Sequence, residues 1–100
     1  MAKVIFTITY DIKPEKRDEY LALARDMQSY LTSAKGKNYG IYEQKNKKNS
    51  FSEVYVCASE DEFERIEDDQ DETTHEMINR LEQYLCSGKM EFATLFGVDR

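Results

Sequence analysis

Hydrophobic and polar residues alternate from the start of the chain. Val4, Phe6, Ile8 and Tyr10 fall on one side of an extended segment, and Ile5, Thr7 and Thr9 on the other. This two-residue period predicts a strand with one strongly apolar face and one mixed face. After the short link Asp11-Ile12-Lys13 the period changes. Pro14 suits the first turn of a helix, where its missing amide costs nothing. Glu15, Asp18 and Glu19 put negative charge near the positive end of that helix. Tyr20, Leu23, Met27, Tyr30 and Leu31 then recur at three and four residues as one apolar stripe. Gly36 is the expected left-handed stop.

A second strand is expected over Tyr39–Gln44, with Tyr39 and Ile41 on one side and Tyr42 on the other. The polar tip Lys45-Asn46-Lys47-Lys48-Asn49 makes it one arm of a hairpin. The other arm, Phe51–Ala58, is rich in β-branched and aromatic residues. Between Val54 and Ala58 it is apolar at successive positions, as befits a central strand covered on both sides. Ser59-Glu60-Asp61-Glu62 reads as a capping box, with Ser59 accepting from the first helical amides and Glu62 reaching back to the Ser59 backbone. The helix it opens carries Phe63 and Ile66 inward and falters in Asp68-Asp69-Gln70-Asp71, which holds no apolar residue. A second helical segment is expected from Thr73 or Thr74, with Met77, Ile78, Leu81, Tyr84 and Leu85 as its buried stripe and Gly88 as its end. In the last strand, Met90–Val98, residues Met90, Phe92, Thr94, Phe96 and Val98 face one way and Ala93, Leu95 and Gly97 the other.

The element order is βαββαβ, the ferredoxin-like arrangement of the α+β class, as one domain over residues 1–100. Right-handed crossovers place the first and third strands in the middle of a four-stranded antiparallel sheet with both helices on one face. The other face is then open, and it carries more apolar surface than a monomer usually exposes. A homodimer with the two sheets face to face is expected.

Composition narrows the function. A formal net charge of −6 works against nucleic-acid binding, which needs a clustered positive footprint. No stretch is apolar enough for a membrane span and no secretory signal opens the chain, so a cytoplasmic location is expected. Cys57 and Cys86 lack ligand spacing and read as reduced packing residues. The acidic run Glu60–Glu72 reads as a solvated face, with no metal site. Gly-rich phosphate loops, nucleophile elbows and HExxH motifs are missing. His75, the one histidine, is the obvious general base, at the border of the second stripe. Seven tyrosines and no tryptophan make phenols the other prominent group. Tyr10, Tyr42 and Tyr55 on strands, with Phe63 and Met77 on helices, are candidates to line a pocket for a small aromatic ligand.

On these features the chain resembles the dimeric α+β barrel proteins, and among them the antibiotic-biosynthesis-monooxygenase-like group. The likeness runs through the opening strand, the Lys-Pro-Glu helix entry, the polar hairpin, the Ser-Glu-Asp-Glu-Phe run and the broken second helix with an early His. The resemblance implies a dimer with a cavity between sheet and helices. Some members of the group oxidise phenols without a cofactor and others degrade haem. The haem-degrading members place a proximal His where His75 lies, but also use a Trp near Ile66 and a first-strand Asn, where this chain has Thr7 and Thr9. The implied activity is cofactor-independent oxygenation of a small aromatic or quinol-like molecule. The alternative is a non-catalytic ligand-binding or protein-interaction module.

Overall fold

The structure, a computed structural model, describes residues 3–68 and 70–98, the side chain of Glu67 excepted. Its strands are β1 (Val4–Asp11), β2 (Tyr39–Glu43), β3 (Ser50–Cys57) and β4 (Glu91–Phe96). They form one antiparallel sheet in the order β2-β3-β1-β4. Three α-helices, α1 (Arg17–Ser29), α2 (Glu60–Asp68) and α3 (Glu72–Tyr84), complete the βαββαβ order, the expected second helix being broken in two. The last strand is shorter at both ends than its alternation implied, since Met90 and Val98 lie outside it.

Alternation dictates which side chains meet. In register with Tyr10, Ile8, Phe6 and Val4 of β1 stand Phe51, Glu53, Tyr55 and Cys57 of β3, all facing the helices. The opposite face pairs Thr7 with Val54 and Ala93, and Ile5 with Val56 and Leu95. No described helix covers that face, and Leu95 is 54% exposed.

Pro14–Lys16 forms a tight turn that leads into α1, as the proline required. Tyr20, Leu23, Ala24 and Met27 of α1 are buried against Met77, Leu81 and Leu85. Burying a leucine such as Leu23, fully excluded from water, is worth about 1.5–3 kcal/mol. The α1 helix widens into a π-turn at Tyr30–Ala34, then stops at Gly36 with φ +67°, the left-handed conformation expected there. Arg17 anchors this layer to the hairpin. Its guanidinium makes two bonds to Glu43, of 2.6 and 2.9 Å, and one to Asn49, and it lies 5.7 Å from the Phe51 ring centre.

Ser59 caps α2 as expected, accepting from the Glu62 amide, but the Glu62 carboxylate bonds the Ala58 amide, one residue earlier than the Ser59 amide. The acidic break also has a different use. Asp71 is the N-cap of α3 and accepts from the Thr74 amide at 2.9 Å, so the helix starts at Glu72, ahead of Thr73. Asp69 lies outside the described residues. Gly88 is left-handed but does not end the helix. The chain leaves α3 at Leu85, which turns extended and bridges Ile12, with the Cys86 amide donating to the Asp11 carbonyl. Burial of Ile12 and Leu85 in the same core explains the early exit. Cys86 is consequently exposed, against the expectation of a packing residue, while Cys57 is buried. No described helix is long and apolar enough to cross a membrane.

Candidate functional site

A cavity of about 610 Å³ opens between the helix-facing side of the sheet and the helices. Asp68 and Gln70, at the break between α2 and α3, are exposed. The second helix is split there, and α2 and α3 do not close over the sheet as one continuous layer. From the sheet side the lining comes from Phe6, Ile8, Glu53, Tyr55 and Phe92. Met27 and Leu31 close it from the first helical layer, Phe63 and Ile66 from α2, and Thr74, Met77 and Leu81 from α3. Phe6 is the centre of an aromatic wall, with ring centres 5.4 Å from Phe63 and 6.1 Å from both Tyr55 and Phe92. Such a wall suits a flat apolar body.

Two carboxyls line the cavity, Glu64 at the exposed surface of α2 and Glu53 in the buried sheet wall. Glu53 is 4% exposed, and its cross-strand neighbours are Ile8 and Ile41. The Tyr39 hydroxyl donates to its Oε1 at 2.7 Å and the Tyr10 hydroxyl to its Oε2 at 2.8 Å. Tyr10 in turn shares a 2.8 Å bond with Tyr20. Burial pushes the Glu53 carboxyl above the ordinary carboxylate range, and the two phenol donors offset only part of that. Burial and the nearby Glu53 charge likewise push Tyr10, Tyr39 and Tyr55 up, so all three remain neutral phenols. Thr74 Oγ1 is a second buried polar atom on the cavity wall. It has no hydrogen-bond partner among the described residues, although it lies near enough to Asp71 to help hold that carboxyl down. Asp71 itself is held low mainly by its bond from the Tyr30 hydroxyl, with Lys35 3.4 Å away.

The residues singled out from the sequence scatter. Tyr55, Phe63 and Met77 line the cavity. Tyr10 lies beside it and reaches the ligand space only through Glu53. Tyr42 is on the opposite, open face of the sheet and 63% exposed. His75 is exposed on α3 and is not among the lining residues. Glu53 was missed. Its signal was present, since counting back in twos from Cys57 and Tyr55 puts Glu53 on the inward face. The run that is apolar at successive positions begins at Val54, one residue after it.

No protein-family model matches the chain, and no curated protein matches it in sequence. Solved structures match along nearly the whole length. SnoaB, a cofactor-independent oxygenase from Streptomyces nogalater, superposes with a TM-score of 0.74 at 13% identity, over 98% of this chain and 97% of that one. An antibiotic biosynthesis monooxygenase gives 0.69 at 16% identity, over 96% and 95% of the two chains. The chain has the antibiotic-biosynthesis-monooxygenase-like fold. A NIPSNAP family protein from Agrobacterium tumefaciens is also similar, with a TM-score of 0.71 at 22% identity over 97% of this chain and 87% of the other. The monooxygenase-like fold is thus shared by proteins of differing description, and at these identities the likeness is one of architecture.

Proposed function

We propose that this chain is a homodimeric cavity protein that binds a small aromatic, quinol-like molecule between sheet and helices and oxygenates it without a cofactor. The observation that carries the reading is the cavity itself, about 610 Å³ with an aromatic wall centred on Phe6. The likeness to a cofactor-independent oxygenase supports the reaction class. The balance is simple: a hydroquinone and dioxygen give a hydroxyquinone and water. The protein's part is to hold the ring, exclude water and manage the proton. Tyr55, Phe63 and Met77 are the wall residues of this proposal. Two copies pack through the open sheet face, where Ile5, Val54, Val56 and Leu95 present apolar surface.

A second reading, a binding module without turnover, is favoured by the exposure of His75, which leaves the cavity lining without an imidazole. Titration of the purified protein with a panel of quinols and hemin, with dioxygen uptake recorded alongside, separates the two. Saturable quinol binding with uptake is the expected result. Binding without uptake gives the second reading, and no binding by any compound contradicts both. Substitution His75→Ala is expected to leave binding and uptake unchanged.

A further inference from the structure

We propose that Glu53 is the proton acceptor of this cavity and that the ligand is a hydroxyarene, an aromatic ring bearing a free O–H. The inference deepens the aromatic-binding reading above and rests on it. It begins from placement. Glu53 stands on a central strand between Ile8 and Ile41, an apolar setting for a carboxyl, and it lines the ligand space. Two phenols fix the carboxyl in one orientation, one on each oxygen. Each carboxylate oxygen has a second lone pair, so the group is oriented but not saturated.

An ionised carboxylate only accepts hydrogen bonds. Tyr10 and Tyr39 satisfy one lone pair on each oxygen, so a ligand O–H or N–H fills a remaining acceptor site, whereas an ether leaves it empty and a second carboxylate adds a repelling charge. Of the two donors, an O–H makes the shorter hydrogen bond to a carboxylate, and a charged ammonium in addition loses more hydration on entering apolar walls. The aromatic wall selects a ring as its carrier. Thr74 Oγ1, buried on the α3 side of the same cavity with no hydrogen-bond partner among the described residues, offers a second polar point for a ligand with a second oxygen. In the proton step the ligand O–H bond breaks, the proton passes to a Glu53 carboxylate oxygen, and the electron pair stays on the ligand as an aryloxide. The negative charge moves from the carboxylate to the ring, where it activates the arene toward dioxygen. Tyr10 and Tyr39 are positioning residues for the acceptor.

The titratable groups that face Glu53 are Tyr10 on β1, Tyr39 on β2, Tyr55 on its own strand and, through Tyr10, Tyr20 on α1. Glu64 lines the cavity from α2, and α3 contributes only uncharged side chains to it. With no cation among these groups, ionisation of Glu53 sets the pH dependence.

The test compares 2-naphthol with its methyl ether, 2-methoxynaphthalene, by fluorescence titration between pH 5 and 9. Wild type is expected to prefer the naphthol by about tenfold or more at the alkaline end. That preference should grow as pH rises through a midpoint above the ordinary glutamate value. Glu53→Gln is expected to bind both compounds alike at every pH. Its dioxygen uptake with a hydroquinone should fall by about a hundredfold, the usual scale for losing a general base. Tyr39→Phe keeps the carboxyl and is expected to keep the preference with its midpoint moved upward, so the proposal remains testable if Glu53→Gln does not fold. Thr74→Val is expected to weaken 2,6-dihydroxynaphthalene more than 2-naphthol. Equal binding of naphthol and ether by wild type, or a pH-dependent preference surviving in Glu53→Gln, would overturn the role of Glu53 while leaving the aromatic cavity standing. Failure of folded wild type to bind either compound overturns both.

Discussion

Replacing Glu53 by glutamine should change how stability depends on pH. A carboxyl whose folded-state pKa is raised holds its proton more tightly folded than unfolded. Burial raises that of Glu53 from an ordinary 4.5. The unfolded chain therefore releases this proton first, and the folded state loses stability as pH climbs from about 4.5 until the folded carboxyl itself ionises. Every unit by which the folded pKa stands above the ordinary value removes about 1.4 kcal/mol. With an unfolding entropy of about 2.1 cal/mol/K per residue, a chain of 100 residues loses roughly 6–7 °C in Tm for each such unit. Other carboxylates act outside this window. Arg17 holds Glu43 down at about 2, and Asp71 is also held low, so both lose their contribution only as pH falls below the ordinary carboxylate range. The buried tyrosines are pushed upward and stay neutral below pH 9. Glutamine keeps the size of the side chain, and rotation of the Tyr10 and Tyr39 hydroxyls can satisfy its amide, at a pH-independent cost of about 1 kcal/mol. Thermal unfolding followed by circular dichroism from pH 5 to 9 should show wild-type Tm declining with pH and a flatter Glu53→Gln profile. Parallel profiles, with a constant offset across the range, would refute the claim that this carboxyl is desolvated in the folded protein.

Two further outcomes follow from the packing. Leu23→Ala should cost about 2–5 kcal/mol, since Leu23 is fully buried against α3 and the site cannot collapse without moving a helix, and chemical denaturation measures this directly. Val54→Asp places a charge in the middle of the open sheet face without touching the helix-side core; light scattering is expected to show a dimer for wild type and a monomer for the variant, with unchanged far-UV circular dichroism.

The strands and the apolar helix stripes could be read from the chain because their signals are local. Alternation fixes which side of β1 meets the core, and the three-and-four spacing of Tyr20, Leu23 and Met27 fixes the buried face of α1. Element ends were less legible because they are decided by partners distant in sequence. Gly88 has the left-handed φ expected of a helix stop, but the pull of Leu85 toward Ile12 ends the helix earlier. Asp71 reads as part of a charge run until the Tyr30 and Lys35 side chains reach it from the end of the first helical layer. The site was the least legible part. His75 carries a recognisable chemistry but stands in solvent, whereas Glu53 is one glutamate among many in an acidic chain. Its significance comes from Tyr10 and Tyr39, which converge on it from 43 and 14 positions away in sequence.

An aromatic ring is proposed to occupy the space beneath α2 and α3, and the methionines report on it. Met27, Met77 and Met90, three of the four in the chain, line the cavity. With methyl-labelled methionine, an NMR titration with 2-naphthol is expected to move these three methyl signals together along one saturable curve, with the large shifts that ring currents produce. Three unmoved methyls at the solubility limit of the ligand, in a protein whose spectrum shows it folded, would contradict the account.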